Sequence, residues 1–188
     1  MDGRGPPLEV IFSAPAIAEA VARLAAEIRR ELRGHRIFAV PVMNGALYFA
    51  ADLLRALGSA AGEAGADPPV LEGFGAASVA SYGDGVRPAG PPRLAAFPDA
   101  SRVTGRTVLL IDTVLDTGAT LDVVHRESLA RGAAHVRAVC LLEKPAGRRF
   151  STCARFTGLI APQRFLVGYG LDAGGLHRTL PHVAALPE

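Results

Sequence analysis

The chain has 188 residues, 49% of them hydrophobic and 20% charged, the make-up of one globular domain with a substantial core. Twenty basic residues against 18 acidic ones leave a net charge of +2, which makes no electrostatic case for nucleic acid as the main partner, and none is expected. No apolar run reaches the length of a membrane span, and the start MDGRGPPLEV lacks the basic and apolar stretches of a signal peptide, so a cytoplasmic protein with no membrane partner is expected.

The first predicted element is a helix over residues 13–32. Ser13 can cap it, Pro15 sits in the first turn where a missing N–H costs little, and Ile17, Val21, Leu24, Ile28 and Leu32 share one face. Gly34 ends it. The apolar run IFAVPV over 37–42 predicts a buried strand, followed by a turn at Met43, Asn44 and Gly45 and a helix to about Leu57. Residues 58–69 read as a small-residue loop. Residues 74–92, rich in Gly and Pro, read as a long binding loop or lid with a short strand around 78–82. A strand at 94–97, a turn over 99–107, a strand at 108–111, a helix over 118–130 with Leu121, Val124 and Leu129 as its apolar positions, and a strand at 136–142 follow. Short strands are expected at 156–160 and 165–169. Alternating strands and helices in this order predict an α/β fold, an open twisted and mainly parallel sheet flanked by helices. Ligand is then expected at the carboxyl ends of the strands, where the turns at 43–45 and 112–120 can converge.

The densest chemistry lies in VLLIDTVLDTGATL, Val108 to Leu121. A buried strand runs into Asp112, a second acid follows at Asp116, and Thr117, Gly118, Ala119 and Thr120 open a helix. Unpaired backbone N–H groups at such a helix start make an anion site. Two carboxylates beside it suit a ligand that carries hydroxyls or Mg²⁺ along with its phosphate, which points to a phosphorylated sugar. No GxxxxGK[ST] loop occurs, the GFG at 73–75 lacks the rest of a dinucleotide fingerprint, and the five histidines show no zinc-ligand spacing. Cys140, within an apolar run, and Cys153 read as reduced thiols.

The same segment resembles the phosphoribosyl pyrophosphate motif of type I phosphoribosyltransferases. MNGALYFAADLL, SYGDG, LLEKP, PQRFLVGYGLD and HRTLPHV narrow the resemblance to the hypoxanthine-guanine phosphoribosyltransferases, over roughly residues 37–183. The resemblance implies a single domain over 1–188, with a mobile loop at about 74–92 and a purine-binding hood at about 144–188. It implies Asp116 as general acid or base for a purine ring nitrogen, with Asp116, Thr117, Gly118, Ala119 and Thr120 around the 5′-phosphate. It places Asp112 and Thr113 on the ribose and metal side. It gives Met43, Asn44, Gly45, Arg178, Ser81 and Tyr82 to the pyrophosphate, and Lys144, Phe165, Leu166 and Asp172 to the purine, Lys144 as donor to the 6-oxygen and Phe165 as stacking ring. Mg²⁺ would be held through Asp172 and Asp112. Lys144 is the one lysine of a chain that otherwise uses arginine.

Two positions depart from the family pattern. Thr113 stands where a second acid is usual, and Asn44 where many members have lysine. In the family this turn often contains a non-proline cis peptide, which here would fall at Met43–Asn44. The implied reaction is phosphoribosyl transfer to a 6-oxopurine in purine salvage, with phosphoribosyl pyrophosphate and a purine base as substrates, by a homodimer or homotetramer. The loss of charge at Thr113 keeps a rival open: a divergent protein of the same fold that takes a different base or serves as a nucleotide-binding regulator.

Overall fold

A computed structural model describes residues 8–58, 70–80 and 91–187. The loop expected at 58–69 lies, apart from Gly58, outside the described residues, as does most of the loop expected at 74–92, including Ser81 and Tyr82. In chain order the elements are β1 (Glu9–Phe12), α1 (Ala14–Glu31), β2 (Arg36–Met43), α2 (Leu47–Gly58), β3 (Val70–Phe74), β4 (Ala77–Ala80), β5 (Arg93–Ala96) and α3 (Ala100–Val103). There follow β6 (Thr107–Leu115), α4 (Ala119–Ala130), β7 (His135–Glu143), a 3₁₀ turn (Pro145–Gly147), β8 (Phe156–Ile160), β9 (Leu166–Val167) and β10 (Val183–Ala185).

The main sheet has the order β5-β4-β2-β6-β7-β8, with β3 pairing the first half of β2. β2, β6, β7 and β8 run parallel, as do the pairings of β3 and β4 with β2; β5 lies antiparallel on β4. Helices cover both faces. Successive residues of a strand point to opposite faces, so Leu109 and Ile111 of β6 join the core under α1 and α2, whereas Val108 and Leu110 join the one under α4.

α1 forms where its sequence predicts. The Ser13 hydroxyl accepts from the Ala16 amide at 3.4 Å, Pro15 occupies the first turn, and Ile17, Val21, Leu24 and Ile28 are buried on one face. Burying each of these large aliphatic side chains contributes about 1.5–3 kcal/mol, so the face outweighs the cap. Leu24 is wholly enclosed, and its truncation to alanine is the single change in this helix expected to cost most, about 2–5 kcal/mol.

Several elements differ from expectation. β6 continues past Ile111 through the polar pair Asp112 and Thr113, because the ladder to β7 is kept there, with Asp112 opposite Cys140 and Leu115 opposite Glu143. The strand expected at 165–169 shrinks to β9, since Gly168, Tyr169 and Gly170 have φ of +93°, +48° and +98° and cannot extend it. Within the stretch expected as a turn over 99–107, α3 forms one short helix anchored by buried Val103. Of the apolar positions of α4, Leu121 and Val124 are buried and Leu129 is exposed. β1 and β10, which no local pattern announces, join β9 in a separate antiparallel three-stranded sheet, order β1-β10-β9. The peptide bond Met43–Asn44 is cis. Both cysteines are free thiols, Cys140 buried and Cys153 exposed. Among the described residues, no helix is long and apolar enough to cross a membrane.

Candidate active site

The carboxyl ends of β2, β6 and β7 carry the turns of interest. Past β6, Gly118 takes φ +88° as the N-cap of α4, which brings the chain round from strand to helix within Asp116–Ala119. A cavity of about 170 Å³ opens there, lined by Asp112 and the run from Val114 to Leu121. The Thr117 hydroxyl accepts from the Ala119 amide at 3.2 Å, and the Thr117 carbonyl accepts from the Arg149 and Phe150 amides at 2.9 and 3.1 Å. The loop after the 3₁₀ turn therefore buttresses the cradle from outside. A helix start presents amides without intrahelical partners and the positive end of the helix dipole, which suits a phosphate.

Asp116 lies beside this cradle. Its Oδ2 is 3.6 Å from Lys144 Nζ, and its Oδ1 is 3.4 Å from the Gln163 side-chain amide. Lys144, 8% exposed as a residue, follows β7 directly; its backbone amide donates to the Leu115 carbonyl, and its ammonium donates to the Arg164 carbonyl at 2.8 Å. That bond ties the ammonium to the segment carrying Phe165, which is half-buried, and Leu166, which is buried in β9 and opposite Ala185. Gly147 is pressed against Asp116 so closely that a methyl group built on it would overlap Oδ1. Neither Gly147 nor Gln163 is singled out by the sequence, because each reaches Asp116 from a loop folded back over it.

Asp112 is half-buried, and burial pushes its carboxyl up to about 7, against the opposing pull of the Thr113 and Val114 amides. The Thr113 amide donates to Asp112 Oδ1 at 2.8 Å. Thr113, grouped with Asp112 by the resemblance, does not face the same way as Asp112. Next to it on a strand, it projects to the opposite face, is fully buried, and donates its hydroxyl to the Gly45 carbonyl at 2.9 Å. Gly45 belongs to the turn Met43-Asn44-Gly45 at the end of β2, where Asn44 is exposed.

The segment after β9 closes the other side. Arg178 pairs with Asp172 at 2.7 Å and donates to the Gly170 carbonyl at 2.7 Å; the Gly170 amide donates to the Arg178 carbonyl at 2.9 Å. Asp172 also accepts from the Gly175 amide at 2.7 Å. The bare Cα of Gly170 abuts the Gly45 carbonyl oxygen, which links this segment to the turn after β2. Tyr169, beside it, donates its hydroxyl to Asp52 of α2 at 2.6 Å. Among the described residues no three His, Cys, Asp or Glu side chains gather as a metal cage, and Asp112 and Asp172 are not part of one. A Mg²⁺ held through one or two carboxylates and its ligand's own oxygens needs no cage. A carboxylate accepts about four hydrogen bonds, so both aspartates keep capacity for such an ion.

A parallel α/β sheet whose strand ends hold an anion cradle, two aspartates and a buried ammonium defines the class: a protein built to hold a phosphorylated ligand at its topological edge. Comparison with known proteins sharpens this. The family described as phosphoribosyl transferase domain matches residues 8–173. The hypoxanthine-guanine phosphoribosyltransferase of Bacillus subtilis is 33% identical over 178 residues, covering 95% of this chain and 92% of that one. The bifunctional protein TilS/HprT of Listeria innocua is 34% identical over 181 residues, 96% of this chain, and the chain spans 26% of that relative's length. The crystal structure of a hypoxanthine phosphoribosyltransferase from Staphylococcus aureus superposes with a TM-score of 0.80 at 26% identity, covering 95% of this chain and 91% of that one. The chain belongs to the phosphoribosyltransferase family, among the hypoxanthine-guanine phosphoribosyltransferases.

Proposed function

We propose that this protein transfers the phosphoribosyl group of phosphoribosyl pyrophosphate to hypoxanthine or guanine, giving the nucleoside monophosphate and pyrophosphate. The observation that carries this reading is the approach of Lys144 Nζ to Asp116 Oδ2, 3.6 Å, at the lip of the phosphate cradle. A 6-oxopurine needs a donor facing its exocyclic oxygen and a carboxylate facing a ring nitrogen that carries or loses a proton. Lys144 and Asp116 offer this pair. Adenine would set an amino group against the Lys144 ammonium, donor against donor, and is rejected on that ground.

The bond from the anomeric carbon to pyrophosphate breaks and leaves positive charge on the sugar. The amides and hydroxyls of residues 117–120 anchor the 5′-phosphate, so that binding energy remote from the reacting carbon orients it. Asp116 takes the purine proton as the new carbon–nitrogen bond forms, and its charge also favours the sugar cation. Phe165 stacks on the base and the backbone of Leu166 reads its edge. Met43, Asn44, Gly45, Arg178, Ser81 and Tyr82 bind the pyrophosphate. Asp112 and Asp172 would hold a Mg²⁺, which when bound neutralises the charge of the departing pyrophosphate. The unit is one domain over 1–188, with its purine hood at about 144–188. It works in the cytoplasm as a homodimer or homotetramer on small-molecule substrates.

The test is pyrophosphate release measured with hypoxanthine, guanine, xanthine and adenine, with and without Mg²⁺. Turnover with hypoxanthine or guanine that requires Mg²⁺, and none with adenine, is expected. Absence of turnover with every 6-oxopurine, or a preference for adenine, overturns the reading.

A further inference from the structure

Thr113 is a polar residue with no exposed surface beside the candidate site. Its hydroxyl has one partner, the Gly45 carbonyl at 2.9 Å, 68 residues away in sequence. The direction of that bond is fixed by chemistry: a carbonyl oxygen only accepts, so the threonine hydroxyl donates. A carboxylate in the same position would set lone pairs against lone pairs where no water can separate them, a costly arrangement in a buried place.

The same carbonyl oxygen is confined from a second direction. Gly170, at φ +98°, brings its bare Cα against it, and a methyl group there would overlap the oxygen. Gly170 is itself fixed by two hydrogen bonds to Arg178. The start of α2 holds the turn from behind, with the Ala46 amide bonded to Val42 and the Leu47 amide to Asn44. Gly45 is thus bracketed by a side-chain donor from β6 and by backbone from the hood. Of these restraints, only the Thr113 bond comes from a side chain of the strand that leads to the phosphate cradle.

We propose that Thr113 is a positioning residue for the diphosphate subsite: its buried hydroxyl, donating to Gly45, holds the Met43-Asn44-Gly45 turn in register with the cradle at the end of β6. This rests on the assignment of that turn to pyrophosphate under the proposed function. The Thr113 hydroxyl is engaged by the Gly45 carbonyl. It acts through the turn, so its loss weakens ligands that carry a diphosphate and spares those that do not.

The experiment titrates wild type, Thr113→Val, Thr113→Ser and Thr113→Asp with two probes by calorimetry: inorganic pyrophosphate with Mg²⁺, and inosine 5′-monophosphate, which lacks the diphosphate. Thr113→Val keeps the shape and removes the donor; its pyrophosphate affinity is expected to fall roughly tenfold, the change that goes with one lost buried hydrogen bond. Its affinity for the monophosphate stays within about twofold, because the cradle is untouched. Thr113→Ser restores the donor and recovers most of the pyrophosphate affinity, while Thr113→Asp loses at least as much as the valine variant. Equal weakening of both probes in Thr113→Val marks a merely structural threonine and overturns the proposal. So do unchanged pyrophosphate binding in Thr113→Val, failure of serine to rescue, or an aspartate variant as tight as wild type. If wild type binds neither probe, the proposed function itself fails and takes this inference with it, which is distinct from a wild type that binds both and variants that do not discriminate.

Discussion

Lys144 Nζ and Asp116 Oδ2 stand 3.6 Å apart, the ammonium nearly enclosed and the carboxylate on the open lip of the phosphate cradle. The separation is longer than a hydrogen bond, and the ammonium's nearer partner is the Arg164 carbonyl at 2.8 Å. The two groups attract without a direct hydrogen bond, which leaves the carboxylate with acceptor capacity and the ammonium with further N–H bonds to give.

Asp116→Asn tests the proton role directly. Asparagine keeps the shape and can still accept from Gln163, but it cannot carry a proton away. Turnover is expected to fall by about 10²–10⁴-fold, the usual share of a general acid or base. The KM for phosphoribosyl pyrophosphate should change by less than about threefold, since the cradle amides are unaltered. Steady-state kinetics separate the two, and an equal loss in both parameters removes the proton role.

Gly147→Ala examines how tightly Asp116 is held. The added methyl group has no room beside Oδ1, and Gly147 does not sit at a positive φ, so alanine meets the carboxylate rather than a backbone penalty. The side chain of Asp116 must swing aside. Displacement of a reacting group by about 1 Å can cost on the order of 10²-fold in rate. A fall in kcat of at least about tenfold with thermal stability nearly unchanged is expected; an alanine variant as active as wild type shows that Asp116 is not confined by this contact.

The central part of this arrangement is legible in the sequence because it is local. Strand, acid, small residues and helix follow one another from Val108 to Ala130, and each step has a short-range cause: apolar run, glycine turn, helix start. Lys144 stands out as the one lysine of the chain. The hood is not legible: its strands have four, two and three residues, and Glu9 of β1 pairs with Ala185 of β10 near the other end of the chain. Periodicity has nothing to act on in two or three residues. The role of Thr113 was hidden for the same reason. The resemblance marks it as a departure from the family pattern, but the direction of its hydroxyl depends on how β6 lies against the end of β2.

Lys144→Met retains the aliphatic stem and removes the donor. The KM for hypoxanthine is expected to rise by about tenfold or more, because the 6-oxygen of the base would be left without its partner in a largely buried place. Lys144→Arg should not rescue it, since the planar fork is broader than an ammonium and the site is closed by the Arg164 carbonyl. Purine KM values for the two variants check this; full rescue by arginine would show that charge alone is read there.

Asp112 gives stability a pH dependence. Burial raises its carboxyl to about 7 from an ordinary 3.8. Between those values the folded chain binds a proton that the unfolded chain has released, so this group's contribution to stability is complete below about pH 4 and is lost as pH rises through about 7. Asp112→Asn removes the titration. In denaturant unfolding of the ligand-free protein at pH 5, 6, 7 and 8, the stability of wild type relative to the asparagine variant is expected to decline from pH 5 to about 7 and to level off by pH 8. A difference that stays flat or grows with pH shows that Asp112 is already ionised at low pH in the folded chain.

Tyr169→Phe isolates the tether between the hood and α2. The tyrosine is 7% exposed, has φ +48°, and its hydroxyl donates to Asp52 at 2.6 Å. Burial and the neighbouring Asp52 both push the phenol's ionisation upward, so it remains a donor throughout the working pH range. Phenylalanine keeps the ring and strands one carboxylate oxygen of Asp52, whose other oxygen stays paired with Arg55 at 2.8 Å. A bond to a charged acceptor contributes about 1.5–3 kcal/mol when well enclosed; Asp52 is partly open to water, so a loss of about 1–2 kcal/mol in unfolding free energy is expected. Because Tyr169 adjoins Gly170 and so the turn at Gly45, slackening this tether should also raise the KM for phosphoribosyl pyrophosphate more than that for the purine. Unfolding curves and the two KM values read these effects separately, and a variant that loses stability with no change in either KM confines the tether to holding the fold.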